Sequence, residues 1–147
     1  MREINKIIIH CSDSTWGDVS EVDKWHKERG WSEIGYHYVV LNGHRGYKSD
    51  FRSRDNGYVE QGRDERKKGA HCKGHNADSI GICLIGKQHF TQRQIESLRI
   101  LIEKLLQRHN IERDGVYGHY EFSIKTCPNM TKEFIMQGVM WWVYLIS

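Results

Sequence analysis

Apolar positions along the chain form short continuous runs in some segments and helical repeats in others. Ile4 and the three isoleucines at 7–9 are β-branched, which predicts a strand buried on both faces. Residues 36–41, 57–61 and 80–85 predict three more strands, and residues 115–118 predict a short strand at a sheet edge. His10 lies at the end of the first predicted strand, and His119 directly follows the last.

The clearest predicted helix begins at Thr91, where Gln94 three residues later completes a capping-box pattern. Its repeat ends near Asn110, and its apolar positions are Ile95, Leu98, Ile102, Leu105 and Leu106. A shorter helix is predicted from a Ser20 cap to Gly30, with Val22, Trp25 and His26 on one face. A last helix is predicted to begin near Thr131 and to carry Phe134, Ile135, Trp141 and Trp142.

Strands interleave with helices, but no regular βαβ repeat runs through the chain. This order predicts an α/β fold of the α+β type, with a central mixed sheet of about five strands flanked by helices. The length of 147 residues favours a single domain over residues 1–147.

Composition and charge describe a soluble globular protein. The formal net charge of +3 is too small to indicate a nucleic-acid partner. The apolar run near the start is too short for a signal peptide, and the apolar stretch 139–146 is too short for a membrane span. The four cysteines include no CxxC pair. We therefore expect reduced thiols and synthesis in the cytoplasm without a signal peptide.

Two groups of residues are candidates for a metal site. His10 and His119 follow strands, and Cys127 comes shortly after His119, just before Pro128. Two imidazoles and one thiolate are a complete protein set for a catalytic zinc that keeps one position for water. The compact set of His71, Cys72 and His75 is the rival. Spacing alone does not decide between the two groups.

Six segments, in order, resemble the zinc-dependent N-acetylmuramoyl-L-alanine amidase family, which includes small phage lysozymes of amidase type and peptidoglycan recognition proteins. They lie at residues 7–12, 24–31, 34–40, 59–64, 69–86 and 118–128. The resemblance implies one zinc per chain, held by His10, His119 and Cys127 in a cleft at the strand ends. It also implies catalytic roles for Tyr36 and Lys125, and we interpret His71 as a substrate contact in the cleft.

The implied activity is cleavage of the amide bond between N-acetylmuramic acid and L-alanine of the stem peptide, as in a phage or prophage lysis enzyme. The implied partner is bacterial peptidoglycan, met after phage-type release, and we expect a monomer. A non-catalytic peptidoglycan-binding module is the alternative, although such relatives typically lack the cysteine ligand. Wall recycling and regulation of another protein stay open.

Residues 42–57 form a longer connection than is common in this family. Four basic and two acidic residues give the segment a net charge of 4 − 2 = +2. It is either a mobile hairpin tip or a lip whose arginines bind carboxylates of the stem peptide.

His37 is predicted to be a core histidine, because it neighbours Tyr36 on a strand and should face the opposite side. Large aromatic side chains are more often core residues than parts of a sugar-binding surface, so the core is also expected to contain Trp16, Trp25 and Trp31.

Overall fold

A five-stranded mixed sheet forms the centre of the structure, a computed structural model that describes residues 2–47 and 50–139. The strands are β1 (Lys6–Cys11), β2 (Tyr38–Asn42), β3 (Asn56–Gln61), β4 (Ser79–Leu84) and β5 (Val116–Gly118). Their spatial order is β3-β2-β4-β1-β5, and only the β2–β3 pair is antiparallel. The predicted mixed sheet of about five strands is confirmed, and β5 lies at an edge as expected.

Helices pack on the sheet because its central strands are apolar on both faces. They are α1 (Val19–Glu28), α2 (Gln92–His109) and α3 (Lys132–Met136). Strands β1 and β4 are buried along nearly their whole length. The larger core cluster joins them to α2 and α3, and a smaller cluster around Val22, Val39 and Ile85 lies under α1. Among the described residues, no helix combines the length and apolar character needed to cross a membrane.

Helix α2 has the two ends that the sequence predicts. The Thr91 hydroxyl accepts the Gln94 backbone N–H at 3.0 Å, and the Gln94 side chain accepts the Thr91 N–H at 3.0 Å. Asn110 ends the helix in the left-handed conformation with φ of 52°. Gln94 also donates to the carbonyls of Val40 and Ile85, so the same side chain fixes the start of α2 to the sheet.

Two predicted boundaries were wrong. The cap of α1 is Asp18, whose carboxylate accepts the Glu21 N–H at 2.9 Å, and Ser20 lies inside the first turn. Strand β2 begins at Tyr38 instead of residue 36. Helix α3 begins after a Thr131 cap as predicted, but Trp141 and Trp142 lie outside the described residues.

His37 is a buried core histidine, as predicted. Its Nδ1 accepts the Gly81 N–H at 3.0 Å, and its Nε2 donates to the Lys67 carbonyl at 2.8 Å. Both bonds require the neutral ring protonated on Nε2, and burial lowers the pKa of His37 to about 4.

This burial makes stability depend on pH. In the unfolded chain His37 titrates near pH 6.5, so between about pH 6.5 and 4 the unfolded state binds the extra proton. Stability is therefore fully present above that window and is lost as pH falls through it, by about 3 kcal/mol for this residue. His37→Gln is expected to flatten this part of the pH profile in urea titrations, whereas substitution of the exposed His89 by glutamine leaves it unchanged. An unaltered slope in His37→Gln would contradict the assignment.

The segment 42–57 is tied to the protein body through Arg45. Its guanidinium contacts three carboxylates, those of Asp18, Asp55 and Glu60, at 3.2, 3.1 and 2.9 Å. Asp55 is 5% exposed and one of its oxygens has no hydrogen-bond partner among the described residues. The ion pair with Arg45 therefore compensates the negative charge of its buried carboxylate. In the described part of the segment, Arg45 is therefore a structural anchor, although the lip interpretation would have its arginines bind substrate.

Removing this anchor separates the two interpretations of residues 42–57. Arg45→Met is expected to lower the melting temperature, because Asp55 loses its cation, while KM stays unchanged. Arg54→Met is the matched control, since Arg54 is exposed and makes no ion pair with the described residues. A raised KM in Arg45→Met with normal thermal stability would instead support the lip.

Candidate active site

A cleft of about 1020 Å³ opens at the carboxyl ends of the parallel strands β1 and β5. His10 is the next-to-last residue of β1, and His119 directly follows β5. Because the two strands are paired side by side, the His10 and His119 rings meet with centroids 4.4 Å apart. The sheet thus brings together two imidazoles that are more than one hundred residues apart in sequence.

A chain of hydrogen bonds fixes the orientation of His10. Ser79 Oγ donates its single proton to the His75 carbonyl at 2.6 Å, so it accepts from His71 Nε2 at 3.1 Å. His71 Nδ1 then carries the lone pair and accepts from His10 Nε2 at 2.8 Å. This arrangement leaves the Nδ1 lone pair of His10 available to coordinate a metal ion.

Glycines make room for the His71 ring beside the sheet. A Cβ built on Gly81 would lie 2.6 Å from His71 Cδ2, and one on Gly69 would lie at the same distance of 2.6 Å from that atom. No side chain fits at either position while His71 stays where it is. Gly81 lies in β4, and because it has no side chain, it leaves the space beside the strand that the His71 ring occupies.

The two histidines of the β1–β5 pair are neutral near pH 7. Burial, together with His71, His119 and Lys125, holds the pKa of His10 well below its usual value. Burial and the Lys125 ammonium also lower the pKa of His119. Neutral imidazole is the form that binds a metal ion.

Cys127 lines the same cleft, and its sulfur lies 2.7 Å from that of Cys11. The hydrogen bond from Cys11 lowers the pKa of Cys127 to about 6, and the same bond raises the pKa of Cys11. Of the two thiols, Cys127 is therefore the one that ionises first. A thiolate is the form in which cysteine binds zinc.

Tyr36 and Lys125 also line the cleft. The Tyr36 ring lies 5.1 Å from the His10 ring, and burial raises the pKa of the phenol well above its usual value. Tyr36 is therefore a neutral hydrogen-bond donor near pH 7. The Lys125 ammonium has no ion-pair partner among the described residues, so its charge is available to a bound anion.

The outer cleft combines aromatic, aliphatic and cationic groups. Trp31 is 38% exposed and Ile124 is fully exposed, so the expectation that Trp31 belongs to the core was wrong. Trp25 does pack against the smaller core cluster, and the Trp16 ring meets the Trp25 ring edge to face. Arg29, Lys73 and Lys125 oppose a single acid, Asp13, which gives the lining a formal charge of 3 − 1 = +2.

Within residues 2–47 and 50–139, no three His, Cys, Asp or Glu side chains are arranged as a metal-binding group. In the proposed trio, His10 Nε2 is directed to His71 and Cys127 Sγ to Cys11. In the rival set, His71 and Cys72 line the cleft, but the His75 ring stacks on Phe122 with centroids 4.1 Å apart. The trio of His10, His119 and Cys127 shares one cleft, whereas His75 does not line it.

A family model for N-acetylmuramoyl-L-alanine amidases matches residues 1–130. The chain belongs to the N-acetylmuramoyl-L-alanine amidase family. This amidase is 37% identical over 134 residues to the endolysin of Escherichia phage T7, covering 84% of this chain and 79% of the relative. The match confirms the resemblance drawn from the six sequence segments.

Solved structures share the fold of the amidase. The N-acetylmuramoyl-L-alanine amidase LysC from Clostridium intestinale has a TM-score of 0.78 at 28% identity, covering 92% of this chain and 85% of LysC. Drosophila PGRP-LB has a TM-score of 0.69 at 21% identity, covering 96% and 82% of the two chains, and this likeness concerns the fold alone.

The structure places all six predicted site residues of the amidase in one cleft. They are His10, Tyr36, His71, His119, Lys125 and Cys127. Sequence reasoning missed Cys11, Ser79 and Trp31 as members or supports of the site. Cys11 directly follows His10 in sequence, but no signal in the sequence places it beside Cys127. Ser79 and Trp31 likewise acquire their roles only when distant segments meet.

Proposed function

We propose that this amidase uses zinc, held by His10, His119 and Cys127, to hydrolyse the amide bond between N-acetylmuramic acid and L-alanine, as a phage-type lysis enzyme acting on the cell wall. The observation that carries the proposal is the chemistry of the donors. Two neutral imidazoles and the more acidic thiol of a cysteine pair line the same cleft as a neutral phenol and the ammonium of Lys125, which has no ion pair with the described residues. These are the ligand types and the accessory groups of metal-assisted amide hydrolysis.

The donor set fits zinc better than a hard cation. Imidazole and thiolate favour zinc, whereas magnesium and calcium prefer carboxylate and carbonyl oxygens. Held by His10, His119 and Cys127, a zinc ion would lower the pKa of a coordinated water to about 7 and would polarise the scissile carbonyl.

Lys125 stabilises the negative charge that develops on the carbonyl oxygen when the amide is attacked. Its ammonium makes no ion pair with residues 2–47 or 50–139, and it is close enough to His10 and His119 to lower their pKa values. A cation at this position acts on the transition state more than on the neutral substrate.

Tyr36 contributes a proton donor. Since burial keeps its phenol protonated, Tyr36 donates a hydrogen bond and does not act as a base near pH 7. We expect Tyr36→Phe to lower hydrolysis while zinc content stays at one equivalent.

The outer cleft suits a glycopeptide that carries carboxylates. The exposed face of Trp31 can pack against a sugar ring, and Arg29 and Lys73 can pair with carboxylates of the stem peptide. The excess positive charge of the lining favours such an anionic substrate over a basic one.

One assay tests the activity. Purified protein is incubated with insoluble peptidoglycan, with and without a chelator, and peptides that begin with L-alanine are sought by mass spectrometry. We expect their release, its loss with the chelator, and its return when zinc is added. Retention on peptidoglycan without peptide release would instead identify a non-catalytic binding module.

His71 is better placed to orient His10 than to contact substrate. It is largely buried between Ser79 and His10, and a hydrogen-bond partner on the far side of a metal-binding imidazole fixes its tautomer. His71→Ala is expected to weaken zinc binding about 10- to 100-fold, and His71→Gln less, because an amide can both accept and donate. Zinc affinity is measured by competition with a chromophoric chelator.

His75→Ala is the matched control for this prediction, because the His75 ring stacks on Phe122 outside the cleft lining. Unchanged zinc affinity in His71→Ala together with a raised KM would return His71 to the role of a substrate contact.

A further inference from the structure

A second sulfur lies within reach of the proposed zinc ligand Cys127. The sulfur atoms of Cys11 and Cys127 are 2.7 Å apart, although 116 positions separate the residues in sequence. We propose that these two residues form a reversible disulfide bond, and that this bond competes with zinc for Cys127. The bond itself stands on the sulfur geometry, and only the competition rests on the proposed function.

The backbone around the two sulfurs holds them together. Cys11 is the last residue of β1, a strand paired along both of its edges. Cys127 is fixed from the other side, because the Tyr120 N–H donates to the Cys127 carbonyl at 2.9 Å. Asn129 Nδ2 donates to the Lys87 carbonyl at 2.6 Å and also lies 3.8 Å from Cys11 Sγ. Only small movements are needed to reach the disulfide bond length of about 2.05 Å.

The other two thiols lack such a neighbour. Cys72 is 3% exposed and Cys83 is fully buried, and neither has another sulfur within hydrogen-bonding distance in the described residues. Cys11, Cys72 and Cys127 all line the cleft, but Cys11 and Cys72 are buried, whereas Cys127 is partly exposed. A small oxidant in the cleft therefore meets Cys127 first.

The reaction proceeds by thiol–disulfide exchange with a low-molecular-weight disulfide. The Cys127 sulfur attacks one sulfur of glutathione disulfide, which breaks the S–S bond and releases one glutathione. Cys11 gives up its proton and attacks the Cys127 sulfur of the mixed disulfide, which releases the second glutathione. The two cysteines lose two electrons and glutathione disulfide gains them, so the exchange is balanced.

Zinc and the disulfide exclude each other at Cys127. Zinc binds cysteine as a thiolate, and a sulfur in a disulfide bond has no thiolate charge to offer. Zinc-loaded protein should therefore resist the exchange, whereas metal-free protein should undergo it. Reduction of the bond should restore zinc binding.

The test uses the full chain with zinc removed by a chelator and then exposed to glutathione disulfide. We expect the free thiols to fall from four to two and a non-reducing peptide map to show a Cys11–Cys127 link that dithiothreitol reverses. Four persistent thiols, a link between two chains, or glutathione retained on Cys127 would each overturn the proposal.

Two variants sharpen the result. Cys11→Ser should stop the reaction with glutathione attached to Cys127, whereas Cys72→Ser, a matched change at a buried thiol, should still form the link. Circular dichroism confirms folding of both. If one equivalent of zinc fails to slow the link in the parent chain, the ligand set in the proposed function is wrong while the disulfide stands, so the two ideas fail separately.

Discussion

Cys127→Ser is expected to yield a folded protein that neither retains zinc nor releases peptides from peptidoglycan. A serine hydroxyl is not ionised near pH 7 and is a far weaker zinc ligand than the Cys127 thiolate. Loss of the metal removes several kcal/mol of transition-state stabilisation, so hydrolysis should fall by about 1,000-fold or more. Zinc content is measured by atomic absorption and hydrolysis by release of stem peptides.

Cys72→Ser is the matched control for this prediction. It makes the same chemical change at a buried cysteine that is not one of the proposed zinc ligands. It should keep one equivalent of zinc and near-normal hydrolysis. Full zinc content in Cys127→Ser would contradict the ligand assignment, and a parallel loss in Cys72→Ser would point to misfolding.

Lys125→Ala is expected to keep zinc but to lower kcat by about 100- to 1,000-fold, with a smaller effect on KM. The Lys125 charge stabilises the oxyanion, which exists only after attack has begun. Lys125→Arg should recover part of the rate, because it restores the charge with a different shape. Single-turnover hydrolysis of a soluble muramoyl peptide separates kcat from KM.

The exposed Lys87 lies outside the lining of this cleft and offers the control Lys87→Ala. A large rise in KM at constant kcat in Lys125→Ala would make Lys125 a binding residue for the stem peptide instead of a transition-state stabiliser.

Local sequence patterns were enough to predict most elements of the fold and to identify several residues of the site. The isoleucines of β1, the capping box at Thr91 and the helical repeat after it predict elements that the structure contains, because burial and capping act over a few neighbouring residues. His10 and His119 stood out for the same reason, since each follows a predicted strand. The cap of α1 was misplaced because Asp18 and Ser20 are both good cap residues, and the choice depends on where the chain turns.

Strand pairing determines the contacts between distant residues, which local sequence patterns cannot predict. The parallel pairing of β1 with β5 brings the His10 and His119 rings to 4.4 Å, and the pairing of β1 with β4 places Gly81, against which the His71 ring packs, next to β1. The Cys11–Cys127 contact and the anchor of Arg45 on three carboxylates also join distant segments. Sequence by itself determined which chemical groups this amidase has. The tertiary structure decided which of them meet, because side chains far apart in the chain interact only when packing of the sheet brings their backbones together.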